Sequence, residues 1–182
     1  MPLAAPVRPL LGLLREMHRT IDRLDDARYA APAPGRTSGG VGSHVRHCLD
    51  HVSALLSATR TGVCAYDRRR RDTDVESSRG AAMARIADVA TLLACFDPIC
   101  LDDPILVESQ LEPSGAMILT RSTVSRELVF VISHTIHHNA IIGQMLAAEG
   151  IALEPRYGIA PSTPDDLGTP PALARMSLSC AP

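Results

Sequence analysis

The sequence predicts an all-α fold, a four-helix bundle with a small β-hairpin insert before the last helix. Several long segments repeat apolar residues at three- and four-residue steps, the period of an amphipathic helix. Four such segments of about 20–27 residues, separated by Pro- and Gly-containing connections, are typical of a bundle. Aromatic residues make up 3% of the 182 residues and Trp is absent, so the core must be built from Ala, Leu, Val and Ile.

Each predicted helix has a recognisable start or end. Ser43 can cap the second helix, and Ser122 or Thr123 can cap the fourth, because their side-chain oxygens accept hydrogen bonds from first-turn amides. Pro98 ends the third helix, and Gly150 follows the fourth as a C-terminal signal. The predicted helices cover residues 10–29, 43–61, 74–96 and 123–149.

The connections have the composition of turns and loops. Residues 30–41 contain two Pro and three Gly, which predicts a loop. Two short apolar runs, 105–109 and 116–120, flank a turn at 112–115, and this arrangement predicts the hairpin. Residues 67–72 hold four consecutive Arg between two Asp; we expect a solvated turn, with binding of an anionic substrate as the alternative.

Length and composition predict a single domain over residues 1–165, followed by an irregular tail over 166–182. The formal net charge of −2 gives no reason to expect nucleic acid or an anionic membrane as a partner. All 18 basic residues are Arg, which excludes lysine Schiff-base chemistry and a phosphate-loop lysine from this chain.

The chain also has the features of a cytoplasmic protein. No run of about eighteen apolar residues exists, and the Pro-containing first residues do not resemble a signal peptide. The five cysteines are scattered and form no C-x-x-C pair, a pattern typical of reduced thiols in the cytosol.

Six of the seven histidines are concentrated in two short helical segments. The second segment is embedded in a long apolar run, where imidazoles need partners to offset their desolvation. A metal ion is a common partner for several neutral imidazoles. The alternative is a set of bundle-facing histidines with backbone or carboxylate partners and no metal. The six are His44, His47, His51, His134, His137 and His138.

On the last helix, His134 and His138 are four residues apart and therefore lie on one face, where both can bind the same ion. His137 is rotated by about 100° from His138 and is expected outside the ligand set, near the opening. Glu127 projects to the same side as His134, seven residues earlier. It could accept a hydrogen bond from a ligand imidazole, or bind the metal directly.

On the second helix, His44, His47 and His51 are three and four residues apart and share one face. One of them is expected to complete a three-imidazole site with the pair on the last helix. Three protein ligands with positions left for water are typical of a catalytic site rather than a structural one. Imidazole ligands suit Zn, Ni, Fe or Cu, so the residues alone do not choose the metal.

These segments, 43–51 and 126–138, together with the hairpin, resemble the DinB/YfiT-like family of metal-binding four-helix bundles. The resemblance extends from residue 10 to about residue 163. It implies that one histidine of the second helix joins an H-x-x-x-H pair on the last helix around a divalent ion. The implied ligands are His47, His134 and His138. The further histidines of this chain, His44, His51 and His137, depart from the family pattern and are possible additional ligands, which leaves room for a different ligand set or a second metal ion.

The resemblance also implies a class of reaction, because the family includes thiol-dependent transferases and isomerases and a hydrolase. We expect an enzyme with one divalent transition metal, zinc first and nickel or iron as alternatives, which activates a small thiol or water against a small-molecule substrate. His51, Asp50 or Glu127 could transfer the proton. Arg46 and residues 68–71 could hold a substrate carboxylate.

Two other functional classes remain open at this stage. A non-catalytic metal- or small-molecule-binding stress protein would use the same histidines without turnover. A purely structural bundle that acts through a partner helix would bind no metal. In each case, apolar patches on the first and third helices favour a homodimer, and the family resemblance supports this expectation.

Overall fold

The computed structural model describes residues 7–33, 39–68, 74–113 and 115–164, which form a mostly helical fold with one small sheet. Most helical residues belong to four long helices that alternate with two short ones and a 3₁₀ helix over Pro98–Asp102. In chain order, the α-helices are α1 Val7–Asp22, α2 Asp26–Ala30, α3 Val41–Thr61, α4 Asp74–Ser77, α5 Arg79–Ala94 and α6 Val124–Ala148.

The four long helices pack around an aliphatic core. Helix α3 contacts both α5 and α6, and α1 contacts the same two helices. Leu10, Leu14 and Val52 are among the side chains that are completely buried between them. This core matches the expectation from composition. Its aromatic members among the described residues are Tyr29, Tyr66 and Tyr157.

Two of the predicted helices are interrupted by side-chain caps. The segment 10–29 divides into α1 and α2 because Asp25 accepts a hydrogen bond from the Arg28 amide, at 2.7 Å, and starts a new helix. The segment 74–96 divides into α4 and α5 because Ser78 accepts one from the Ala81 amide, at 3.2 Å. Apolar spacing continues across both breaks, so periodicity alone does not reveal them.

Helix α3 begins at Val41, and its N-cap is Gly40. The prediction of Ser43 as the cap was therefore wrong. At two positions near the start of α3, Gly40 and Gly42, neighbouring backbone lies too close for a side chain. A Cβ atom on Gly40 would lie 1.8 Å from a backbone carbonyl oxygen, and one on Gly42 would lie 2.0 Å from the carbonyl oxygen of Glu76.

The predicted hairpin is confirmed, and it belongs to a larger sheet. Its two strands pair antiparallel, with Val107 opposite Thr120. A third strand, which the sequence did not predict, pairs parallel with the first hairpin strand and places Cys64 opposite Val107. The strands are β1 Val63–Ala65, β2 Pro104–Gln110 and β3 Met117–Thr123, in the spatial order β1-β2-β3.

Both predicted end signals of the last helix are confirmed. The Thr123 hydroxyl accepts a hydrogen bond from the Arg126 amide at 3.3 Å, and Gly150, just beyond the helix, has a φ of 78°. The chain then turns back onto α6. Tyr157 is 7% exposed, and a Cβ atom on Gly143 would lie 3.4 Å from its ring.

The predicted tail over 166–182 lies outside the described residues, as do residues 69–73, which include most of the arginine run. The domain boundary at residue 165 therefore stays a prediction. Within the part of the chain that the structure describes, no helix is long and apolar enough to cross a membrane.

Candidate metal centre

The histidines of the two segments meet where α3 packs against α6. Each of five rings has a neighbouring imidazole whose centroid lies 4.1–5.0 Å away. His51 and His138 are buried, whereas the other three are partly exposed. The five are His44, His47 and His51 of α3 and His134 and His138 of α6.

A close contact between the two helices joins His47 and His134, whose Nε2 atoms are 2.9 Å apart. His51 lies beside this pair, with its Nδ1 atom 3.0 Å from the His47 carbonyl oxygen. A carbonyl oxygen only accepts, so Nδ1 carries the proton and Nε2 carries the lone pair. One ring nitrogen from each of the three residues lies within 4.8 Å of the others.

His138 points toward His44, and their Nδ1 atoms are 2.8 Å apart, so one ring donates a hydrogen bond to the other. Burial, reinforced by the other histidines, lowers the pKa of His138 to about 3. Burial also lowers the pKa of His44, although a hydrogen bond to the backbone of Gly39 partly opposes this shift. Both rings are therefore neutral at pH 7, the form in which imidazole binds metal.

His137 lies at the edge of the cluster. Its side chain is exposed, and its ring centroid is 5.2 Å from that of His138. Whether His137 takes part in the site stays a prediction.

Tyr66 covers one side of His51. The two rings are stacked, with centroids 4.8 Å apart and planes 13° from parallel. The Tyr66 hydroxyl donates a hydrogen bond to Oε2 of Glu127 at 2.8 Å. Burial, together with Cys64 and Glu127, raises the pKa of Tyr66 far above its ordinary value, so the phenol stays protonated and remains the donor.

Glu127 is 1% exposed and is bound by three donors. Besides Tyr66, it accepts hydrogen bonds at Oε1 from the Ser122 hydroxyl, at 2.6 Å, and from Nη1 of Arg126, at 2.8 Å. Among these contacts, Tyr66 is the one that reaches the histidines. The structure thus places Glu127 one side chain away from His51.

A second aromatic ring covers the α6 side of the cluster. Phe130 stacks on His134 with centroids 5.5 Å apart, and it also lies 5.2 Å from the ring of Tyr66. Tyr66 and Phe130 therefore form an apolar wall against His51 and His134, which lowers the local dielectric around their ring nitrogens.

Asp50 lies on the neighbouring face of α3 and lines a cavity there. Its Oδ2 atom is 3.7 Å from Nη1 of Arg46, and Nε of Arg46 is 3.0 Å from Oε2 of Glu76. Both of these predicted site residues thus line a cavity on the side of α3 that faces α4 and α5.

The donor set suits a divalent transition metal. Two imidazole nitrogens bound to one tetrahedral ion at about 2.0–2.1 Å each lie roughly 3.3 Å apart. The Nε2 atoms of His47 and His134 are 2.9 Å apart, which is near this distance and is also the length of a hydrogen bond between the two rings. The tautomer of His51 also fits, because its lone pair is on Nε2 while Nδ1 is held by the backbone.

Tyr66 and Phe130 were not among the predicted site residues. Phe130 precedes His134 by four residues, so helical spacing already placed the two rings on one face. Tyr66 follows β1, which the sequence did not predict, and no local pattern indicates its contact with His51.

No protein-family model matches the chain. Over 115 residues it is 32% identical to FK506-binding protein 5 of Rhizopus delemar, a match that covers 62% of this chain and 30% of that protein. The chain therefore spans less than a third of the length of this relative.

Among solved structures, the chain is similar to a DinB-like protein (YjoA) from Bacillus subtilis, with a TM-score of 0.61. The similarity covers 83% of this chain and 96% of the other. Because the sequence identity is 17%, the similarity is one of fold alone. The DinB/YfiT-like resemblance seen in the histidine segments is confirmed at this level. The chain has a DinB-like fold.

Proposed function

We propose that the chain is a four-helix-bundle metalloenzyme in which His47, His134 and a third imidazole hold one divalent transition metal ion. The observation that carries this proposal is that one ring nitrogen from each of His47, His51 and His134 lies within 4.8 Å of the others. The positions of the ring nitrogens favour His51 as the third ligand, whereas the family resemblance assigns His138. Zinc is the expected ion, with nickel or iron as alternatives, because imidazole suits all three.

A divalent ion at this site would lower the pKa of a water molecule or a small thiol toward neutrality, which supplies a nucleophile. The chain's own side chains would orient the ligand set and receive the released proton. His51 is oriented by its bond to the His47 carbonyl oxygen. Asp50 and Glu127 are the candidate carboxylate acceptors, and Glu127 would act through Tyr66.

The reaction that this arrangement supports best is transfer of a low-molecular-weight thiol to a small electrophile, or hydrolysis of a small molecule. The alternative is a non-catalytic metal- or small-molecule-binding stress protein. Assays of thiol transfer and hydrolysis with the metal-loaded protein decide between them. Metal binding without turnover in either assay would support the alternative.

Elemental analysis of the untagged 182-residue chain, before and after chelation, tests the metal site. We expect one equivalent of a divalent first-row metal, and its loss in His134→Ala. His18→Ala is the matched control, because His18 lies on α1 outside the cluster and its replacement should leave the metal in place. Full metal binding by His134→Ala, or no uptake by the parent protein on titration, would overturn the proposal.

The third ligand requires a separate pair of variants. If His51 is the ligand, His51→Ala loses the metal while His138→Ala keeps most of it. The reverse result would support the ligand set that the family resemblance implies. Unfolding curves of both metal-free variants establish that any loss of metal does not come from loss of the fold.

The predicted homodimer and the cytoplasmic location remain proposals. Three consecutive apolar residues of β3, Met117, Ile118 and Leu119, are exposed and offer surface for a contact with a second copy. Sedimentation of the parent protein and of an Ile118→Thr, Leu119→Thr variant measures whether this surface mediates association.

A further inference from the structure

A cavity of about 580 Å³ lies on the face of α3 next to the histidines, between that helix, α5 and β1. Its volume is within the range of small-molecule sites. We propose that this cavity binds a small organic carboxylate and that Arg85 holds the carboxylate group. This proposal goes beyond the metal site and does not depend on a metal being bound.

The cavity contains three arginines, and two of them have carboxylate partners. Arg46 pairs with Glu76, as described above, and Nη2 of Arg68 donates to Oε2 of Glu108 at 2.7 Å. Among the described residues, no carboxylate pairs with Arg85. The structure therefore assigns the role of anion binder to Arg85, rather than to Arg46 or Arg68, which the sequence indicated together with residues 69–71.

Arg85 is positioned by a serine of the facing helix. Its Nη2 atom donates to the hydroxyl of Ser53 at 2.9 Å, and that hydroxyl donates to the Leu49 carbonyl oxygen at 2.6 Å. This chain of hydrogen bonds orients the guanidinium while the other N–H groups remain for a ligand. A guanidinium binds a carboxylate with two parallel hydrogen bonds, which favours a carboxylate over a single-point acceptor.

The remaining lining indicates what the carboxylate would be attached to. Ser57, one turn after Ser53, adds a hydroxyl beside Arg85. Asp50 also lines the cavity, with its carboxylate 3.7 Å from Nη1 of Arg46. Apart from Asp50 and Tyr66, the other lining side chains are apolar, so the site suits a ligand whose one acidic group lies at Arg85 and whose body is hydrophobic. The apolar lining residues are Leu49, Ala54, Val63, Ala65 and Val75.

Tyr66 joins this cavity to the histidine cluster. It lines the cavity, and its ring also stacks on His51. The cavity and the histidine cluster therefore share the Tyr66 side chain.

Calorimetric titration of the metal-free, untagged chain tests the proposal with three probes. They are 4-phenylbutyrate, its neutral amide 4-phenylbutyramide, and inorganic phosphate. We expect 4-phenylbutyrate to bind. The amide should bind with an affinity at least about tenfold lower, because it cannot form the charge-assisted pair with the guanidinium. Phosphate alone, without an apolar body, should bind more weakly than 4-phenylbutyrate.

Variants then assign the binding to Arg85. Arg85→Gln keeps a helix-forming side chain and should lower the affinity for 4-phenylbutyrate by about tenfold. Arg85→Lys keeps the charge and should give an intermediate loss. Arg15→Gln, on the exposed surface of α1 and outside the lining of the cavity, is the matched control and should bind as the parent does. Circular dichroism and unfolding midpoints check that each variant is folded.

Three results would overturn the inference. The first is no heat of binding for 4-phenylbutyrate at millimolar concentration. The second is equal affinity for the acid and the amide, or equal affinity of Arg85→Gln and the parent protein. The third is tighter binding of inorganic phosphate than of 4-phenylbutyrate, which would indicate a phosphate site instead.

Discussion

Replacing Tyr66 by Phe removes one hydroxyl and keeps the ring that stacks on His51. Oε2 of the buried Glu127 then loses its donor at 2.8 Å, and no other described donor contacts that oxygen. A hydrogen bond to a charged group contributes about 1.5–3 kcal/mol. Because Ser122 and Arg126 remain on Oε1, we expect Tyr66→Phe to lower the free energy of unfolding by about 2 kcal/mol without abolishing folding.

Urea unfolding followed by circular dichroism measures this loss. The matched control is Tyr157→Phe, whose hydroxyl lies 3.4 Å from the neutral Oδ1 of Asn139, so about 0.5 kcal/mol is expected there. The double variant Tyr66→Phe, Glu127→Gln should lose less free energy of unfolding than the sum of the losses of the two single variants, because both changes remove the same hydrogen bond. If Tyr66→Phe lowers the free energy of unfolding no more than Tyr157→Phe does, the buried Glu127 carboxylate does not depend on the Tyr66 hydroxyl.

Two further predictions concern stability. In the metal-free protein, the pKa of His138 is lowered to about 3, whereas the unfolded chain takes up this proton near pH 6.5. The free energy of unfolding therefore falls as the pH drops below about 6.5, by about 2 kcal/mol at pH 5. The urea midpoint of unfolding should accordingly be lower at pH 5 than at pH 7.5, and equal midpoints would refute this. Gly42→Ala forces a Cβ atom to 2.0 Å from a carbonyl oxygen and should cost about 1–3 kcal/mol in the same assay. Gly12→Ala, with no atom within 4 Å of the added Cβ, should instead be neutral or stabilising.

The fold was predictable to the extent that it depends on periodicity and local signals. The apolar steps of α3 and α6 and the Thr123 cap are all local in sequence. The breaks at Asp25 and Ser78 were not predicted, because a single polar residue with no disruption of the apolar spacing is enough to cap a new helix. Strand β1 was missed because three residues carry no measurable alternation, and its pairing partner is about forty residues away.

The histidine cluster could be anticipated because six of seven histidines share two helical faces, and helical geometry converts spacing into position. The roles of the acidic residues could not, because they depend on which side chains reach them across the fold. Glu127 shares the face of His134, yet its donors are Tyr66, Ser122 and Arg126.

Several carboxylates around α3 are paired with arginines. Two features beside Tyr66 fall outside this pairing, the imidazole cluster and Arg85. Glu127 is neutralised by its donors, and Glu76 and Glu108 are each paired with an arginine. On one side, burial lowers the pKa of His138 to about 3, and a neutral imidazole nitrogen still accepts a metal ion. On the other side, Arg85 has a charge with no described carboxylate beside it. The imidazole cluster suits the proposed metal ion, and the guanidinium of Arg85 suits the proposed carboxylate.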